Sequence, residues 1–395
     1  MRAGLIGTLL AGLALPTAAT AACPASNQYN FMFNSQPAAA LSYTNSYTYT
    51  ATSAALGTAN FTVGFSTFNL ASNNVAGTLM PAITTLINDD AASRFLVVGG
   101  TLSGRTANIA ANANVIVTRL TFPTPVSDVT LTASDLDYGV NQYRDWFQIV
   151  GRNGAATYTP LIVTPFGQSN ATAVKVATGS SLTLGPATAP RTIGASEVVG
   201  TGTSPPDAPT GNIVLSFGQP ITQLELRYGN APFTGTENTS GVQAIGFKGV
   251  SWCPLPVLSL TKTAASFSDP ANGTLNPKMI PGGDLIYTLT VTNSNGSAVD
   301  FATAALTDPL PAALTFYNGD IDDGGALTTN YEFVAGTSVL TFAPGNLTYS
   351  NNGGTTYAHT PAAGYAPSVT ALRFQPTGTM AANSSFAIRF RVRIK

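Results

Sequence analysis

Hydrophobic and polar residues alternate with a period of two in many parts of the chain, and this pattern predicts β-strands. The clearest case is the segment 284–293, where Leu285, Tyr287, Leu289 and Val291 share one face and threonines share the other. The segment 385–395 alternates in the same way, with basic residues opposite apolar ones. Each pattern predicts a strand with one buried face and one face in water.

The first two-thirds of the chain also favours strands, separated by clusters of Pro, Gly, Asn and Ser that are typical of a β-sandwich. Two other kinds of element are predicted there: a short helix at Ala82–Leu86 and long edge loops over 177–209. The predicted strands are 114–122, 129–133, 213–217, 224–228 and 244–252. The fold class that follows is all-β.

The basic face of the last segment has two interpretations. Its members are Arg389, Arg391, Arg393 and Lys395. The first interpretation is a solvated strand whose charge blocks edge-to-edge aggregation. The second is a patch that binds an anionic cell-surface polymer.

Composition excludes several classes of protein. Only 9% of the 395 residues are charged and the net charge is −1, so no basic patch for nucleic acid is expected. Hydrophobic residues make up 44%, which excludes a disordered tail. A single histidine leaves little scope for histidine-based catalysis or a zinc site.

The N-terminus has the features of a secretory signal peptide. Arg2 precedes an apolar run over 5–15, and small residues lead to a cleavage site at Ala19-Thr20-Ala21. The run is shorter than the roughly 20 residues that span a bilayer, and no later segment reaches that length. We therefore expect residues 1–21 to be removed and the protein to be secreted or held on the outer cell surface. Cleavage before Cys23, as in a lipoprotein, is the alternative.

Two cysteines outline a domain. Cys23 and Cys253 are the only pair available in a chain with a secretory leader, which predicts a disulfide bond, with two free thiols as the alternative. The bond would join the two ends of a domain over 22–254. The prolines of Pro254-Leu255-Pro256 favour an extended linker into a second domain over 255–395.

The second domain resembles a known family over 257–317. Its motifs are Lys262-Thr263, Pro281-Gly282-Gly283, Thr292-Asn293 and Asp308-Pro309-Leu310-Pro311. They resemble the immunoglobulin-like domain of unknown function that recurs in bacterial surface proteins. The resemblance implies an immunoglobulin-like β-sandwich that acts as a spacer, a stalk or an assembly module.

The first domain resembles the lectin-like β-sandwiches of secreted and surface-anchored bacterial proteins. The segments that carry the resemblance are 125–151, 212–230 and 241–253. It implies a lectin-like or jelly-roll-like sandwich with an adhesive or matrix role, and a carbohydrate or matrix component as the ligand.

Acidic residues near 135 form the best polar cluster. Asp135 and Asp137 continue the inner face of the strand 129–133 beyond its end, and Asp145 follows closely in sequence. Two carboxylates about 7 Å apart need a partner. One hypothesis is a calcium ion bound by Asp135, Asp137 and Asp145. The other is a hydrogen-bonded corner completed by Arg144 or by backbone N–H groups.

Other candidate chemistry is sparse, and no catalytic residue is predicted. The loop 318–324 departs from an EF-hand at its sixth and twelfth positions, so an Asp- and Gly-rich turn is expected, with weak calcium binding as the alternative. His359 lies in a predicted hairpin, and the chain has no G-x-S-x-G motif. Glu197, Glu225 and Glu237 are isolated in sequence. The aromatic residues Tyr138, Tyr143 and Trp146 either stack on a sugar or belong to the core.

The sequence thus predicts a non-enzymatic secreted or cell-surface protein that binds a carbohydrate or matrix ligand and carries an immunoglobulin-like spacer. A structural surface-layer or matrix component that self-associates is the alternative. A secreted hydrolase is the third class.

Overall fold

The structure is a computed structural model that describes residues 23–139, 142–163, 174–175, 183–184, 191–200, 202–231, 241–294, 296–299 and 302–395. Within these ranges the regular elements are β-strands and three-residue 3-10 turns, without an α-helix, so the all-β prediction is confirmed. Nor do these ranges hold a helix with the length and hydropathy needed to cross a membrane. The predicted signal peptide lies outside the described residues.

The strands fall into two sets, before and after Pro254. The first set is β1 (Tyr29–Met32), β2 (Ala39–Ala40), β3 (Ser46–Ser53), β4 (Gly57–Phe68), β5 (Leu70–Ser72), β6 (Asn74–Val75), β7 (Thr78–Leu79), β8 (Ala82–Thr84), β9 (Phe95–Leu102), β10 (Val115–Ser134), β11 (Tyr138–Gly139), β12 (Tyr143–Asn153), β13 (Ala156–Tyr158), β14 (Leu161–Val163), β15 (Val174–Lys175), β16 (Thr183–Leu184), β17 (Arg191–Thr192), β18 (Glu197–Val199), β19 (Ile213–Phe217), β20 (Ile221–Asn230) and β21 (Val242–Pro254). The second set is β22 (Leu258–Ser268), β23 (Asp284–Asn293), β24 (Leu306–Pro309), β25 (Leu314–Asn318), β26 (Tyr331–Val334), β27 (Leu347–Ser350), β28 (Gly364–Ala366), β29 (Ala371–Phe374) and β30 (Ser384–Ile394).

Strand β10 organises the first set. Its N-terminal half pairs with β4 and β20, and its C-terminal half pairs with β19 and β21. The change of partners follows Pro123 and Pro125, which lack the N–H that a ladder needs. One strand therefore serves two groups of neighbours, and apolar residues from both groups pack in one core.

The second set forms two sheets with their own core. In the described residues one sheet has the order β22-β23-β30-β25-β28, with β26 also on β30, and the other has the order β24-β29-β27. Side chains from both sheets, such as Phe390 of β30 and Phe374 of β29, meet in a hydrophobic cluster. This cluster shares no residue with the core of the first set.

The predicted disulfide is confirmed. Cys23 and Cys253 are bonded, with their Cα atoms 6.0 Å apart. Cys253 lies in β21, which pairs with β1 through Tyr29 and Trp252. The bond therefore holds the first described residues against one of the long strands of the sheet.

Two predictions about local structure are wrong. Ala82–Leu86 does not form a helix, because Ala82–Thr84 pairs as β8 with both β2 and β9. The segment 177–209 does not consist of loops alone. Glu197–Val199 is a buried strand that pairs with β12, and Thr183–Leu184 pairs with Arg191–Thr192.

The interpretation of the last segment as a solvated edge strand is wrong in its edge position and at Arg391, whereas the side chains of Arg389 and Arg393 are 43% and 38% exposed. Strand β30 pairs on both sides and is not an edge. Arg391 is only 4% exposed, and its guanidinium lies against the rings of Phe267 and Tyr317 at 4.3 and 4.4 Å. Carboxylates of the same chain balance the three arginines: Asp284 contacts Arg391 and Arg393, Asp323 contacts Arg391, and Glu332 contacts Arg389.

Candidate functional site

The three aspartates predicted as a site come together at the end of β10. The strand ends at Ser134, and Asp135 adopts a left-handed conformation with φ of +66°. The period-two alternation stops there, so the prediction that Asp135 and Asp137 continue the inner face of the strand is wrong. Asp137 precedes the short hairpin of β11 and β12, and Asp145 returns beside it from β12.

Asp137 and Asp145 are held by hydrogen bonds from both sides. Asp145 is fully buried, and its carboxylate accepts the Tyr228 hydroxyl at 2.5 Å and the backbone N–H of Asp137 at 3.0 Å. The carboxylate of Asp137 accepts the Tyr143 hydroxyl and the backbone N–H of Ser204, both at 3.0 Å. Two hydroxyls and two backbone amides therefore engage all four carboxylate oxygens.

Burial raises the pKa of all three carboxyl groups. The pKa of Asp145 lies well above its ordinary value because of burial, with the neighbouring Asp137 adding to the effect. For Asp137, burial outweighs the hydrogen bonds from Ser204 and Tyr143, which act to lower its pKa. Burial and the charges of Asp137 and Asp207 raise the pKa of Asp135 to about 8.

Asp135 differs from its neighbours in its hydrogen bonding. Within the described residues, its buried Oδ1 has no hydrogen-bond partner. Calcium takes six to eight oxygen ligands in proteins. No group of three or more acidic, histidine or cysteine side chains in the described residues is arranged to hold a metal ion. The four hydrogen bonds favour the hydrogen-bonded corner over calcium, and calcium at Asp135, Asp137 and Asp145 stays a prediction.

The aromatic residues near the corner divide by burial. Trp146 is completely buried and its indole N–H donates to Glu197 at 3.1 Å. It packs in a second hydrophobic cluster of the first set, beside the main core, so it is a core residue. Tyr143 is tied to Asp137 through its hydroxyl. Tyr138 is half-buried, with the Arg144 guanidinium 4.5 Å from the centre of its ring.

The remaining candidate acids occupy structural positions. Glu225 is 4% exposed and pairs with Arg119 at 2.9 Å, Arg152 at 3.0 Å and Arg227 at 3.2 Å. Glu197 accepts from Trp146 and from Gln148. Glu237 lies outside the described residues.

The two loops of the second set have turn roles. In the acidic loop, Asp320 accepts the backbone N–H groups of Asp322 and Gly324, as an Asp- and Gly-rich turn requires. His359 pairs with Tyr349 in an isolated bridge, and its ring lies 2.9 Å from the Ser368 hydroxyl.

The raised pKa of Asp135 should make the unfolding free energy depend on pH. Its pKa is higher in the folded protein than in the unfolded chain, so the unfolding free energy should fall as pH rises from about 4 to about 8. One such group contributes at most about 1.4 kcal/mol per pH unit. Asp135→Asn stays neutral and suits the left-handed backbone, so we expect a smaller loss of stability between pH 5 and pH 8.

Urea unfolding followed by tryptophan fluorescence at these two pH values measures the difference. Asp90→Asn is the matched control, since the pKa of Asp90 is lowered to about 2 by hydrogen bonds from Ser93 and Ala92. Asp90 is therefore ionised in both states above pH 5, and its variant should keep the wild-type slope. Equal slopes for Asp135→Asn and the wild type would contradict the prediction.

A second candidate site, outside the residues singled out from the sequence, is a groove on the outer face of the first sheet. We call it the polar groove, and it has a volume of about 270 Å³. The register of β1, β21 and β10 aligns Asn30, Ser251 and Thr130 in one row, and Met32, Gly249 and Thr132 in the next. The residues that define the polar groove are Asn30, Met32, Thr130, Thr132, Lys248, Gly249 and Ser251.

The floor and one end of the polar groove are fixed by specific contacts. A Cβ atom on Gly249 would lie 2.3 Å from the Phe31 carbonyl oxygen, so glycine allows the strands to approach closely here. The Lys248 ammonium is held 2.7 Å from Asp89. Thr130 and Thr132 alternate with the buried Val129, Leu131 and Ala133, which turns their hydroxyls outward.

Two signals in the sequence point to the polar groove. The threonines that alternate with apolar residues in 129–133 mark a face in water, and a glycine inside the strand 244–252 marks a close approach. The groove needs residues from three strands, the most distant of which, Asn30 and Ser251, are 221 positions apart, and only the strand register brings them together.

Comparisons with known proteins add little to this geometry. No protein-family model matches the chain, and no curated protein matches it. The structure of wild-type discoidin II from Dictyostelium discoideum is similar with a TM-score of 0.26 and 8% sequence identity. The match covers 85% of this chain and 94% of that one, a similarity too low to define a shared fold.

Proposed function

We propose that this chain is a secreted or cell-surface, non-enzymatic protein that binds a carbohydrate or matrix polymer at the polar groove. In this proposal residues 22–254 form a lectin-like β-sandwich domain. Residues 255–395 form an immunoglobulin-like sandwich that acts as a spacer. The observation that carries the proposal is the polar groove itself, an open site lined by hydrogen-bonding side chains on a sheet.

The chemistry of the polar groove suits a hydroxyl-rich ligand. Thr130 and Thr132 each offer a hydroxyl that can donate and accept. The Ser251 hydroxyl accepts Nε2 of Gln28 at 3.3 Å and can still donate. One N–H of the Asn30 amide donates to the Gln28 carbonyl at 3.1 Å, which leaves its second N–H and its carbonyl oxygen for a ligand. Pockets for small molecules enclose roughly 300–1,000 Å³. The volume of about 270 Å³ suits one unit of a polymer that continues beyond the site.

The positions of the acids support a non-catalytic role. A glycosidase uses two carboxyl groups that face the scissile bond across a substrate cleft. Asp145 is fully buried and bonded to Tyr228, and Glu225 is surrounded by three arginines. These contacts give Asp145 and Glu225 structural partners.

The disulfide supports an extracellular location. Such bonds persist in oxidising compartments, which agrees with the predicted secretory leader. Low charge and many hydroxyl side chains are compatible with a protein that works at a cell surface.

A glycan and matrix-polymer array probed with the mature full-length chain tests the proposal. We expect saturable binding that falls about thirtyfold in the double variant Thr130→Val/Thr132→Val, because two lost hydrogen bonds at about 1 kcal/mol each amount to about 2 kcal/mol. Thr48→Val, at an exposed position of β3, is the matched control and should bind as the wild type does. Silence on the whole array, or binding that is unchanged in the double variant, would refute a ligand site at the polar groove.

The same array run in calcium and again in EDTA tests the metal hypothesis. Binding that occurs in the presence of calcium and is lost in EDTA would support a calcium ion at Asp135, Asp137 and Asp145. Equal binding in both conditions would remove calcium from the mechanism and keep the polar groove.

A structural surface-layer or matrix component is the second candidate function. The observation that favours it is the outer edge of the eleven-residue strand β22, which has no partner strand in the described residues.

A further inference from the structure

Strand β22 forms an outer edge of its sheet. It pairs with β23 along its whole length and with no other strand in the described part of the chain. The Val257 carbonyl accepts the Ser294 N–H at 2.9 Å on the β23 side. Because the direction of backbone groups alternates along an antiparallel ladder, every second residue turns its N–H and C=O to the free edge. These residues are Leu258, Leu260, Lys262 and Ala264.

The inner face of β22 is uncovered. Register pairs Leu260 with Val291 and Lys262 with Leu289, so β22 points these side chains to the same side as the core. Leu289 is 1% exposed, whereas Leu260 is 53% exposed. The strand that would cover them is absent from the described part of the facing sheet, which ends at β24.

An apolar groove lies between β22 and β24. Its volume is about 330 Å³. Leu258 and Leu260 line one side, Ala304 and Leu306 line the other, and Val291 also contributes. Two exposed leucines beside free backbone groups are a surface on which an added strand can gain both hydrogen bonds and apolar contacts.

The other outer strands of this region are protected, and β22 is not. Natural sheets protect their edges with short strands, prolines or charges. Strand β28 has three residues and β27 has four, and the four residues of β24 end in Pro309. Strand β22 has eleven residues without proline or glycine.

The one charge of β22 is neutralised within the chain. The Lys262 ammonium lies 2.7 Å from the Asp308 carboxylate and 4.2 Å from the centre of the Tyr287 ring. An edge lysine normally opposes the approach of another strand. This lysine is held between Asp308 of the facing sheet and Tyr287 of its own sheet, so its charge is balanced and does not oppose a second β22.

We propose that β22 is the interface at which a second copy of this chain adds its own β22, antiparallel, to form a dimer with a sheet continuous across both molecules. A two-fold axis brings inner face beside inner face, so the strand is complementary to itself. The net charge of −1 gives little repulsion between copies. The interface shares no residue with the polar groove, so the proposal stands independently of ligand binding.

Sedimentation of the mature full-length chain over a range of concentrations tests the dimer. We expect a reversible monomer–dimer equilibrium, weakened about tenfold or more in Leu260→Lys, which places a new charge on the inner face of the edge. Leu275→Lys is the matched control, because Leu275 is 82% exposed in the loop between β22 and β23. It should dimerise as the wild type does. A wild type that stays monomeric at every concentration, or a dimer that Leu260→Lys leaves unchanged, would overturn the proposal.

Hydrogen exchange distinguishes strand pairing from contact between side chains alone. In the dimer, the amides of Leu258, Leu260, Lys262 and Ala264 should exchange more slowly at high concentration than at low concentration. Leu275→Lys should show the same protection and Leu260→Lys should lose it. A dimer without added protection over 258–264 would refute pairing through β22.

Discussion

Replacing Asp284 with alanine is expected to lower the unfolding free energy of the region after Pro254 by about 3–5 kcal/mol, the usual cost of breaking a buried ion pair. The side chain of Asp284 is 1% exposed. It accepts Nε of Arg391 at 3.2 Å, Nε of Arg393 at 2.8 Å and the Tyr365 hydroxyl at 2.8 Å. Without it, the buried Arg391 loses its buried carboxylate partner.

The two tryptophans make the effect measurable in one experiment. Both Trp146 and Trp252 lie before Pro254, so their fluorescence follows the first set of strands. Circular dichroism follows all strands. Asp284→Ala should shift a urea transition seen by circular dichroism and leave the fluorescence transition in place.

Glu332→Ala is the matched control for Asp284→Ala. Glu332 also pairs with an arginine of β30, Arg389, but both side chains are partly exposed, at 25% and 43%. Exposed pairs contribute about 1 kcal/mol or less. Equal costs for the two variants would contradict the role of burial at Asp284.

The ion cluster around Asp284 also makes the unfolding free energy of the region after Pro254 depend on pH. Burial alone would raise the pKa of Asp284, but hydrogen bonds from Arg393, Arg391 and Tyr365 outweigh it and hold the pKa below its ordinary value. The pKa of Asp284 is therefore lower in the folded protein than in the unfolded chain. The stabilisation that Asp284 contributes is fully present above the ordinary pKa of an aspartate, and it is lost as pH falls through the pKa of the folded protein.

Strands with a simple environment could be predicted from sequence. The segments 213–217 and 284–293 are strands with those bounds in the structure, because alternation of polar and apolar residues reports one buried face. The helix predicted at 82–86 failed because five residues carry no clear period, and pairing with β2 and β9 decided the conformation.

The alternation of polar and apolar residues does not predict the full length of strand β10. The sequence predicts its two halves as separate strands, 114–122 and 129–133, and Pro123 and Pro125 lie between them. In the structure the chain continues through the prolines as it changes from one group of partners to another. Proline marks the loss of a ladder hydrogen bond there, not the end of the strand.

The sequence predicts which aspartates lie together at the end of β10, but it does not predict their hydrogen-bond partners. Asp135, Asp137 and Asp145 are close in sequence and in space, so local reasoning found them. Tyr228 and Ser204 are 83 and 67 residues from their carboxylate partners and join through strand pairing and loop closure. A single sequence does not contain that register.

Removing the disulfide with the double variant Cys23→Ser/Cys253→Ser is expected to lower the unfolding free energy of the first set of strands by about 5 kcal/mol, from the entropy of closing so long a loop. The bond joins residues 230 positions apart. It also holds β1 beside β21, where Tyr29 stacks on Trp252 with ring centres 5.6 Å apart. The loss should therefore appear as a lower urea midpoint in tryptophan fluorescence.

Wild-type protein unfolded in a reducing agent is the control for the serine substitutions, and it should match the double variant. An unchanged fluorescence midpoint in both would show that the bond adds no stability. Together with Asp284→Ala, the double variant also tests the predicted boundary between 254 and 255. If the two regions fold as separate domains, the cysteine variant shifts the fluorescence transition alone, and Asp284→Ala shifts only the transition that fluorescence does not see. If either variant moves both transitions together, the chain unfolds as one cooperative unit, although the described residues before and after Pro254 share no hydrophobic cluster.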